Sequence, residues 1–222
     1  MMAPRRRKTT VLLVEDHEIM RQGLMHLINQ EPDMTVCGEA DSIAEARQAV
    51  KAQCPDVAVV DISLKDGNGT ELIKDLQVRH PGVKVLVLSM HDESVYAERV
   101  LRAGAKGYVA KSEASSKVVE GIRRVVADEI FVSDEVTATM LSRFLDGASP
   151  GTSPIDRLTD RELEVFGLIG EGLQTREIAA RLHLSAKTIE TYRENIKRKL
   201  DLENATQMIV RAVKWVQSER DA

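Results

Sequence analysis

Short apolar runs alternate with amphipathic stretches over the first half of the chain. The apolar runs are 11–14, 35–40, 57–60, 84–90 and 107–110, and the amphipathic stretches lie near 18–29, 42–52, 69–79, 93–103 and 115–127. Runs without polar alternation are typical of strands buried on both faces, as in a parallel sheet. Five such strands alternating with five helices predict an α/β doubly wound five-stranded parallel sheet.

The C-terminal part of the chain shows helical periodicity only. Thr159 and Glu162 form a capping box before apolar residues at helical spacing, and Gly172 supplies a C-cap for that helix. Thr175 can cap a short helix and Ser185 a longer one. A last helix is expected at about 205–216, with one apolar side made of Ile209, Ala212, Val213 and Val216. The pattern predicts an all-α four-helix domain whose middle pair forms a helix-turn-helix.

A segment of linker composition separates the two parts. Residues 146–154 are rich in Gly, Ser, Thr and Pro and contain almost no apolar side chains. Just before them, 133–145 has the period of a helix, with Val136, Met140 and Phe144 on one face. We therefore expect a first domain at 9–128, a linker containing a helix at 129–157, and a second domain at 158–218.

The composition limits the cellular location in which the chain can act. Its 222 residues suit two ordinary domains, and no apolar run approaches the ~20 residues needed to span a membrane. The basic start is followed by only four apolar residues before Glu15, so we expect no export signal. Cys37 and Cys54 have no metal-site spacing, and we expect two buried thiols in a reducing cytoplasm.

A carboxylate directly follows the apolar run 57–60. Sites in open α/β sheets form beyond the carboxyl ends of the strands, where the strand order reverses, so Glu15, Asp16 and Asp61 should converge there. Three like charges at close range require a cation, and Mg²⁺ prefers carboxylate oxygens. Ser89 and Lys111 end two further strands and complete a set that can receive and stabilise a phosphoryl group.

Each of these residues also has a simpler explanation when it is taken alone. Glu15 and Asp16 could cap the first helix, where negative charge is favourable, and Asp61 could cap the turn that follows it. His17, next to the acidic pair, starts the first helix, and we expect its ring to point away from the pair and to be solvated rather than to be a metal ligand. We favour a shared site because one position, at the reversal of strand order, accounts for all the residues together.

The segments VEDH (14–17), VVDIS (59–63), LSM (88–90) and GYVAK (107–111) resemble the flavodoxin-like receiver domain of two-component response regulators. The resemblance implies that Asp61 is the phosphoacceptor, and that Lys111, Ser89 and Tyr108 stabilise the phosphoryl group and carry the switch. It also implies a Mg²⁺ site made of Glu15, Asp16, Asp61 and the backbone carbonyl of Ser63. The match departs at Lys65 and Ser112, where many receivers carry proline, and this leaves the conformation of two loops open.

The helix predicted after Ser185 is basic within a neutral region. Residues 185–200 carry five basic and two acidic side chains, whereas 159–222 carry eleven of each. Ile189, Ile196 and Leu200 form its apolar seam, and a polar stripe lies opposite. As the second helix of a helix-turn-helix, it would enter the major groove of DNA by its N-terminal part.

Residues 158–213 resemble the LuxR-type DNA-binding domain, so the whole chain is similar to a NarL/FixJ-type response regulator. The resemblance implies base reading by Glu190, Thr191 and Glu194, and a glutamate can accept a hydrogen bond from cytosine N4. The residues that it implies for positioning on the DNA backbone are Lys187, Thr188, Tyr192, Arg193 and Lys197. Arg5, Arg6 and Arg7 either form a disordered basic tail, which we favour, or add phosphate contacts.

Together these inferences predict a cytoplasmic, phosphorylation-controlled transcription regulator rather than an enzyme. The expected partners are a sensor histidine kinase and double-stranded promoter DNA, with a homodimer when phosphorylated and no membrane. The resemblance implies that the last helix takes part in pairing the two subunits, while the residues alone leave the dimer interface open. One alternative is a Mg²⁺-dependent aspartyl-phosphate hydrolase, but such enzymes usually carry a D-x-D nucleophile after strand 1 and a cap domain. The other is a DNA-binding protein whose receiver is only a structural module, against which the complete acidic set argues.

Overall fold

The apolar runs form the strands of the N-terminal unit. The computed structural model describes residues 7–90, 93–145 and 154–220. Its strands are β1 (Thr9–Val14), β2 (Met34–Ala40), β3 (Val57–Asp61), β4 (Ser63–Leu64), β5 (Gly67–Asn68), β6 (Lys84–Ser89) and β7 (Gly107–Ala110). The helices of this part are α1 (Glu18–Asn29), α2 (Ile43–Gln53), α3 (Gly69–Arg79), α4 (Glu93–Ala103), α5 (Ala114–Val126) and α6 (Asp134–Leu145).

Five strands pair in parallel in the order β2-β1-β3-β6-β7, while β4 and β5 form a separate antiparallel pair. In register, Val14 pairs with Val60 and Asp61 with Leu88, so the carboxyl ends of the central strands meet at one edge. The strand order reverses between β1 and β3. The predicted doubly wound α/β fold is confirmed, and its site edge is the one that the pattern indicated.

An aliphatic core covers the sheet. Residues of the strands meet residues of α1 and α5 in one buried cluster, which contains Val11, Leu13, Val57, Val59, Leu86, Leu88, Leu24, Ile28, Val118 and Ile122. Burying one side chain of this size stabilises the fold by roughly 1.5–3 kcal/mol relative to leaving it exposed. The cluster therefore holds the strands firmly in place. The low aromatic content of the sequence, 3%, is consistent with this choice of core residues.

The loop around Lys65, left open by the sequence, is an antiparallel hairpin. Ser63 pairs with Asn68, and Lys65 in the turn forms an ion pair of 2.5 Å with Asp41. The Asn68 side chain then accepts the backbone N–H of Thr70 at 2.8 Å and caps α3. The other departure, Ser112, lies in a 3₁₀ turn at Lys111–Glu113.

The segment after α5 returns to the sheet. Phe131 forms an isolated parallel bridge with Gly107, its carbonyl accepting the Tyr108 N–H at 2.8 Å and its N–H donating to the Lys106 carbonyl at 2.9 Å. The backbone at Phe131 therefore runs alongside the edge strand β7 before α6 begins. The chain divides into two compact units between Thr139 and Met140, within α6.

The C-terminal unit contains α7 (Asp160–Gly170), α8 (Thr175–Arg181), α9 (Ala186–Lys199) and α10 (Ala205–Arg220), after a 3₁₀ turn at Pro154–Arg157. The capping box of Thr159 and Glu162 and the Ser185 cap are both present, as the sequence predicted. Gly172 follows α7 with a φ of +91°, the left-handed conformation that glycine adopts without strain. The Phe166 and Trp215 rings, with centroids 5.5 Å apart, join α7 to α10.

Expectations about one helix cap, the two cysteines and the basic start of the chain were wrong. Gln174, not Thr175, is the N-cap of α8, and its backbone N–H donates to Glu177. Cys54 is exposed and Cys37 only partly buried, because Cys54 ends α2 at the surface with a left-handed φ of 45°. Arg7 is not part of a free tail, since it pairs with Asp56 at 2.9 Å.

Some expectations fall outside the described residues. These are the roles of Arg5 and Arg6, most of the 146–154 segment, and the side chain of Phe144. Among the helices that the structure does describe, none has the length and the apolar character required to cross a membrane.

Gly69 is required by a close approach of two backbones. A Cβ atom at this position would lie 2.2 Å from the carbonyl oxygen of Asp61, which cannot move without shifting β3. We therefore expect Gly69→Ala to lower the free energy of unfolding by about 1–3 kcal/mol. Gly23→Ala is the matched control, because a Cβ atom there meets nothing within 4 Å. This substitution replaces a glycine inside a helix, so it should raise the free energy of unfolding by roughly 0.5–1 kcal/mol. Urea unfolding followed by circular dichroism measures both, and equal effects of the two substitutions would contradict the prediction.

Glu162 ties α7 to α9 through a buried carboxylate. Its Oε2 accepts from the Thr159 backbone at 2.8 Å and from Lys199 Nζ at 2.6 Å. Burial alone would raise the pKa of this carboxyl, but the bonds from Lys199 and Thr159 outweigh it and lower the pKa below 4.5. A lowered folded pKa gives stability that is present above the unfolded pKa and is lost as the pH falls through the folded pKa.

We expect Glu162→Gln to destabilise the C-terminal unit by about 1–3 kcal/mol at pH 7, because a charged hydrogen-bond acceptor is lost. The difference from the wild type should shrink as the pH falls below 4.5. Trp215 is the single tryptophan of the chain, so urea unfolding followed by its fluorescence reports this unit. Glu177→Gln, at the exposed capping box of α8, is the control and should cost less than about 0.5 kcal/mol. A wild-type advantage that stays constant with pH would argue against the role of the ionised carboxylate.

Candidate functional site

Three carboxylates meet where the strand order reverses. Asp61 is the last residue of β3 and is only 1% exposed, and Glu15, the residue after β1, is 2% exposed. Asp16 follows, with a side chain that is 10% exposed. The parallel pairing of β1 with β3 brings their ends together, so the convergence predicted from the sequence is present in the fold.

Lys111 reaches this cluster from the end of β7. Its Nζ donates to Asp61 Oδ2 at 2.8 Å and to Glu15 Oε1 at 2.9 Å, and its side chain is almost fully buried. One ammonium therefore faces three carboxylates, and the cluster carries more negative charge than its own residues neutralise. Buried like charges that are not compensated favour the binding of a cation or of a proton.

The surroundings change the proton affinity of both partners. Burial raises the pKa of Asp61 to about 6, although Lys111 acts to lower it, and the neighbouring Glu15 raises it further. Burial alone would lower the pKa of Lys111, but the Asp61 and Glu15 carboxylates outweigh this and raise it. The lysine thus remains charged, and the aspartate is the group whose charge is held at a cost.

The oxygen atoms of the cluster fit a hard divalent cation such as Mg²⁺. Two buried oxygens, Glu15 Oε2 and Asp16 Oδ1, accept no hydrogen bond; Lys111 Nζ and His17 Nδ1 lie at 2.7 Å and 2.9 Å from them, but only as ion-pair contacts. The backbone N–H of Ser63 donates to Asp61 Oδ1 at 3.1 Å and orients that carboxylate. Carboxylate oxygens with unused lone pairs are the donors that Mg²⁺ takes in proteins.

His17 is solvated, as expected, but it also faces the acidic cluster. Its side chain is 71% exposed, and its Nδ1 lies 3.0 Å from Glu15 Oε1 and 2.9 Å from Asp16 Oδ1. One ligand atom from each of Glu15, Asp16, His17 and Asp61 lies within 4.8 Å of the others. The expectation that the ring points away from the cluster was therefore wrong, because His17 is the N-cap residue of α1 and stays close to the strand end.

Ser89 and Tyr108, the two residues assigned to the switch, are both buried. Ser89 ends β6 and pairs in register with Ala110, and Tyr108 lies in β7. The backbone of Tyr108 is bonded to Phe131, and two residues later the N–H of Ser133 donates to Glu93 Oε1 at 2.8 Å. The start of α6 is thus connected to the first turn of α4 and to β7, a link that no periodic signal in the sequence indicates.

The residues assigned to DNA contact lie on α9, the second helix of the helix-turn-helix. Those on its exposed side are Lys187, Glu190, Thr191 and Glu194, and those that are partly buried are Thr188, Tyr192, Arg193 and Lys197. Ile189 and Ile196 face the core, as predicted, and Leu200 is partly buried. The turn before α9 contains His183 with a φ of 53°, which reverses the chain within a few residues.

Several of these polar side chains are bonded within the protein. The Ser185 and Thr188 hydroxyls lie 2.8 Å apart, and the Thr191 hydroxyl donates to the Lys187 carbonyl at 3.0 Å. Glu194 pairs with Lys197 at 2.8 Å on the same helix. Glu190 differs, because it accepts a hydrogen bond from Thr175 on α8, a contact that the sequence analysis missed.

The last helix has a narrower core face than its sequence indicated. Met208 and Ala212 are fully buried, and Val213 and Val216 are partly buried. Ile209 was expected on the same face as Ala212, but it is 43% exposed, next to Val210 at 48%. The helix therefore presents two large apolar side chains outside the core of its own unit.

Two protein families match separate parts of the chain. Residues 11–123 match the response regulator receiver domain, and 156–212 match the luxR family of bacterial regulatory proteins. The DNA-binding transcriptional activator DevR/DosR of Mycobacterium tuberculosis is 38% identical over 94% of this chain and 95% of that protein. The oxygen regulatory protein NreC of Staphylococcus epidermidis is 31% identical over 92% of this chain and 96% of its own.

The fold has counterparts among solved structures. A structure of the response regulator RcsB in complex with DNA matches with a TM-score of 0.55 and 25% identity, over 94% of this chain and 98% of that one. Proteins of this kind are DNA-binding transcription regulators of two-component systems rather than enzymes. The chain belongs to the two-component response regulators of the NarL/FixJ type, in which a receiver domain precedes a LuxR-type DNA-binding domain.

Proposed function

We propose that Asp61 accepts a phosphoryl group from a sensor histidine kinase and thereby controls binding of promoter DNA by the C-terminal unit. The observation that carries the proposal is the buried contact of Asp61 with Lys111 at the reversal of strand order. A carboxylate buried beside two others is a costly arrangement for a structural role alone. Its cost is understandable if the charge is used in a reaction.

In the proposed reaction, one carboxylate oxygen of Asp61 attacks the phosphorus of a phosphohistidine on the kinase. The P–N bond breaks, its electron pair leaves on the imidazole nitrogen, and an aspartyl phosphate forms. Lys111 Nζ, 2.8 Å from Asp61 Oδ2, is close enough to pair with the transferred oxygens. The N–H of Ser63 holds the other carboxylate oxygen and orients it.

Mg²⁺ suits the remaining oxygens of the site. The residues that would hold it are Glu15, Asp16, Asp61 and the backbone carbonyl of Ser63. When bound, the ion neutralises the carboxylates and the phosphoryl oxygens, so that two groups of like charge can approach. Two buried oxygens, Glu15 Oε2 and Asp16 Oδ1, have only the ion-pair contacts with Lys111 and His17, and this supports the role.

Ser89 and Tyr108 would carry the change from the phosphorylated site to the face made by α4, β7 and α5. Both are buried in a close-packed interior, so neither can move without moving its neighbours. Phe131, bonded to the Tyr108 backbone, and Ser133, bonded to Glu93, then connect this face to α6. Coupling of this kind typically amounts to ~1–3 kcal/mol, enough to change the occupancy of a promoter.

We assign DNA reading to α9, with its N-terminal part in the major groove. Glu190, Thr191 and Glu194 would contact base edges, and the residues on the DNA backbone would be Lys187, Thr188, Tyr192, Arg193 and Lys197. The exposure of Lys187, Glu190, Thr191 and Glu194 on one side of the helix supports this assignment. The description of DevR/DosR as a DNA-binding activator supports it as well.

A homodimer would form on phosphorylation and bind two half-sites of the promoter. Ile209 and Val210, adjacent and exposed on α10, support a pairing surface there, since a second copy of the helix would remove them from water. The promoter DNA and the phosphorylated kinase domain that the protein requires are both found in the cytoplasm. We propose that location, with no membrane partner.

The first test is the capture of genomic DNA fragments by the full chain at fixed salt, with Mg²⁺ alone or with Mg²⁺ and beryllofluoride, which imitates the phosphoryl group. We expect enrichment of a shared site, with two half-sites, only when beryllofluoride is present. Asp61→Asn should abolish this enrichment, because the amide lacks the charge that binds the mimic and the metal ion. Chelating Mg²⁺ should have the same effect.

Asp75→Asn is the matched control, since it removes one carboxylate from α3 outside the site. It should enrich the same fragments as the wild type. If Asp61→Asn and the wild type enrich equally in every condition, the C-terminal unit still binds DNA but Asp61 does not control it. Intact mass after incubation with acetyl phosphate tests the chemistry directly, with one added phosphoryl group expected in the wild type and none in Asp61→Asn.

Lys187→Ala tests the phosphate contacts of α9. Because a lysine on a phosphate carries no sequence information, we expect an affinity loss of similar size for specific and unrelated DNA. The slope of log affinity against log salt should fall by about one unit. Lys214→Ala removes the same charge from an exposed position on α10 and should leave the slope unchanged. Equal effects of both substitutions would mean that only net charge matters.

A further inference from the structure

A hydrogen bond from a neighbouring helix holds the carboxylate of Glu190. The Thr175 hydroxyl, on the first residue of α8, donates to Glu190 Oε1 at 2.7 Å. The other oxygen, Oε2, lies 3.9 Å from Arg193 Nε, a long ion pair on the same helix. One oxygen of the Glu190 carboxylate is therefore held by a hydroxyl outside its own helix, and the other is only weakly paired with Arg193.

The Thr175 hydroxyl is available for this contact because it has no capping role. The N-cap of α8 is Gln174, and the capping box there is completed by Glu177. Threonine at the start of a helix would otherwise be expected to bond the backbone of its own helix. Here the hydroxyl instead joins the two helices of the helix-turn-helix across fifteen positions of sequence.

Stability alone does not account for this contact. Glu190 is exposed and Thr175 is only partly buried, so water can replace either partner and the bond contributes little to folding. Its effect is on freedom of motion, since a glutamate side chain loses several rotamers when one oxygen is held. Within the part of the chain that the structure describes, Glu194 has no such partner on another helix, and its carboxylate is paired with Lys197 on α9.

We propose that Thr175 is a positioning residue for base recognition, which presents Glu190 to a cytosine N4 amino group in the major groove. An acidic side chain close to DNA phosphates is repelled by them. Its carboxylate must therefore be placed accurately, so that the hydrogen bond to one base outweighs the repulsion from the DNA backbone. Fixing the side chain before binding removes the ordering cost that association would otherwise carry. The inference rests on the proposed role of Glu190 as a base reader.

The test compares the sequence preference of four full-length variants with beryllofluoride present. Thr175→Val keeps the shape and removes the hydroxyl, Thr175→Ser keeps the hydroxyl, Glu190→Ala removes the reader, and the fourth combines Thr175→Val with Glu190→Ala. We expect Glu190→Ala to lower discrimination at one base pair of each half-site by about tenfold or more. Thr175→Val should lower it about three- to tenfold at the same base pair, and Thr175→Ser should retain it.

Three features separate positioning from a general effect. Affinity for unrelated DNA should be the same in Thr175→Val and the wild type, and so should the melting temperature of the C-terminal unit. In the Glu190→Ala background, Thr175→Val should have no further effect, because the group that it orients is gone. Thr206→Val, at an exposed threonine in the first turn of α10, is the matched control and should change nothing.

The possible failures are distinguishable. If Glu190→Ala alters one base preference and Thr175→Val does not, the positioning role is wrong while the reader role stands. Loss of affinity for all sequences in Thr175→Val would also overturn it, since that result indicates a fold or backbone effect. If Glu190→Ala leaves every base preference unchanged, the reader role of Glu190 fails, and the inference fails with it.

Discussion

One ammonium facing three carboxylates is the constraint on which the N-terminal unit depends. Lys111 pairs with Asp61 and Glu15 in a buried site, and Asp16 adds a third negative charge beside them. The excess charge is tolerable because it sits at the open edge of the sheet, where a cation and a phosphoryl group can enter. Burial raises the pKa of Asp61 even with a lysine in contact, and the negative charge of Glu15 raises it further.

The surrounding fold holds this unbalanced group in place. The strand that carries Asp61 is apolar and buried on both faces, so its end cannot shift to relieve the repulsion. Gly69 allows the start of α3 to approach the Asp61 backbone, and the Ser63 N–H fixes the carboxylate. A change of charge at Asp61 must therefore act on the buried charges beside it, Lys111 and Glu15, because the strand end cannot move away from them.

Much of the fold could be predicted from the sequence because it is encoded by periodicity. The five strands of the main sheet, the helices and the convergence of Glu15, Asp16, Asp61 and Lys111 follow from apolar runs and from what stands at their ends. Contacts between single side chains far apart in sequence have no such signal. The pairing of Phe131 with β7, and the bond from Ser133 to Glu93 forty residues earlier, belong to this class.

The errors have the same origin. Thr175 was assigned to a cap because threonine commonly fills that position, but Gln174 occupies it, and only the packing of α8 on α9 shows that the hydroxyl reaches Glu190. His17 was expected to point away, although as the N-cap of α1 it remains beside the strand end. Local preference placed the elements to within a few residues, and it was wrong where a side chain had two available partners.

Charge also sets how the C-terminal unit can bind DNA. Residues 159–222 carry eleven basic and eleven acidic side chains, so the unit has little net attraction for a polyanion, and α9 places Glu190 and Glu194 on its exposed side. Because non-specific affinity is mostly electrostatic, a unit of this composition must gain its affinity for DNA mainly from specific contacts. Under the proposed control by phosphorylation, a coupling of ~1–3 kcal/mol from the receiver would then be enough to decide whether a promoter is occupied.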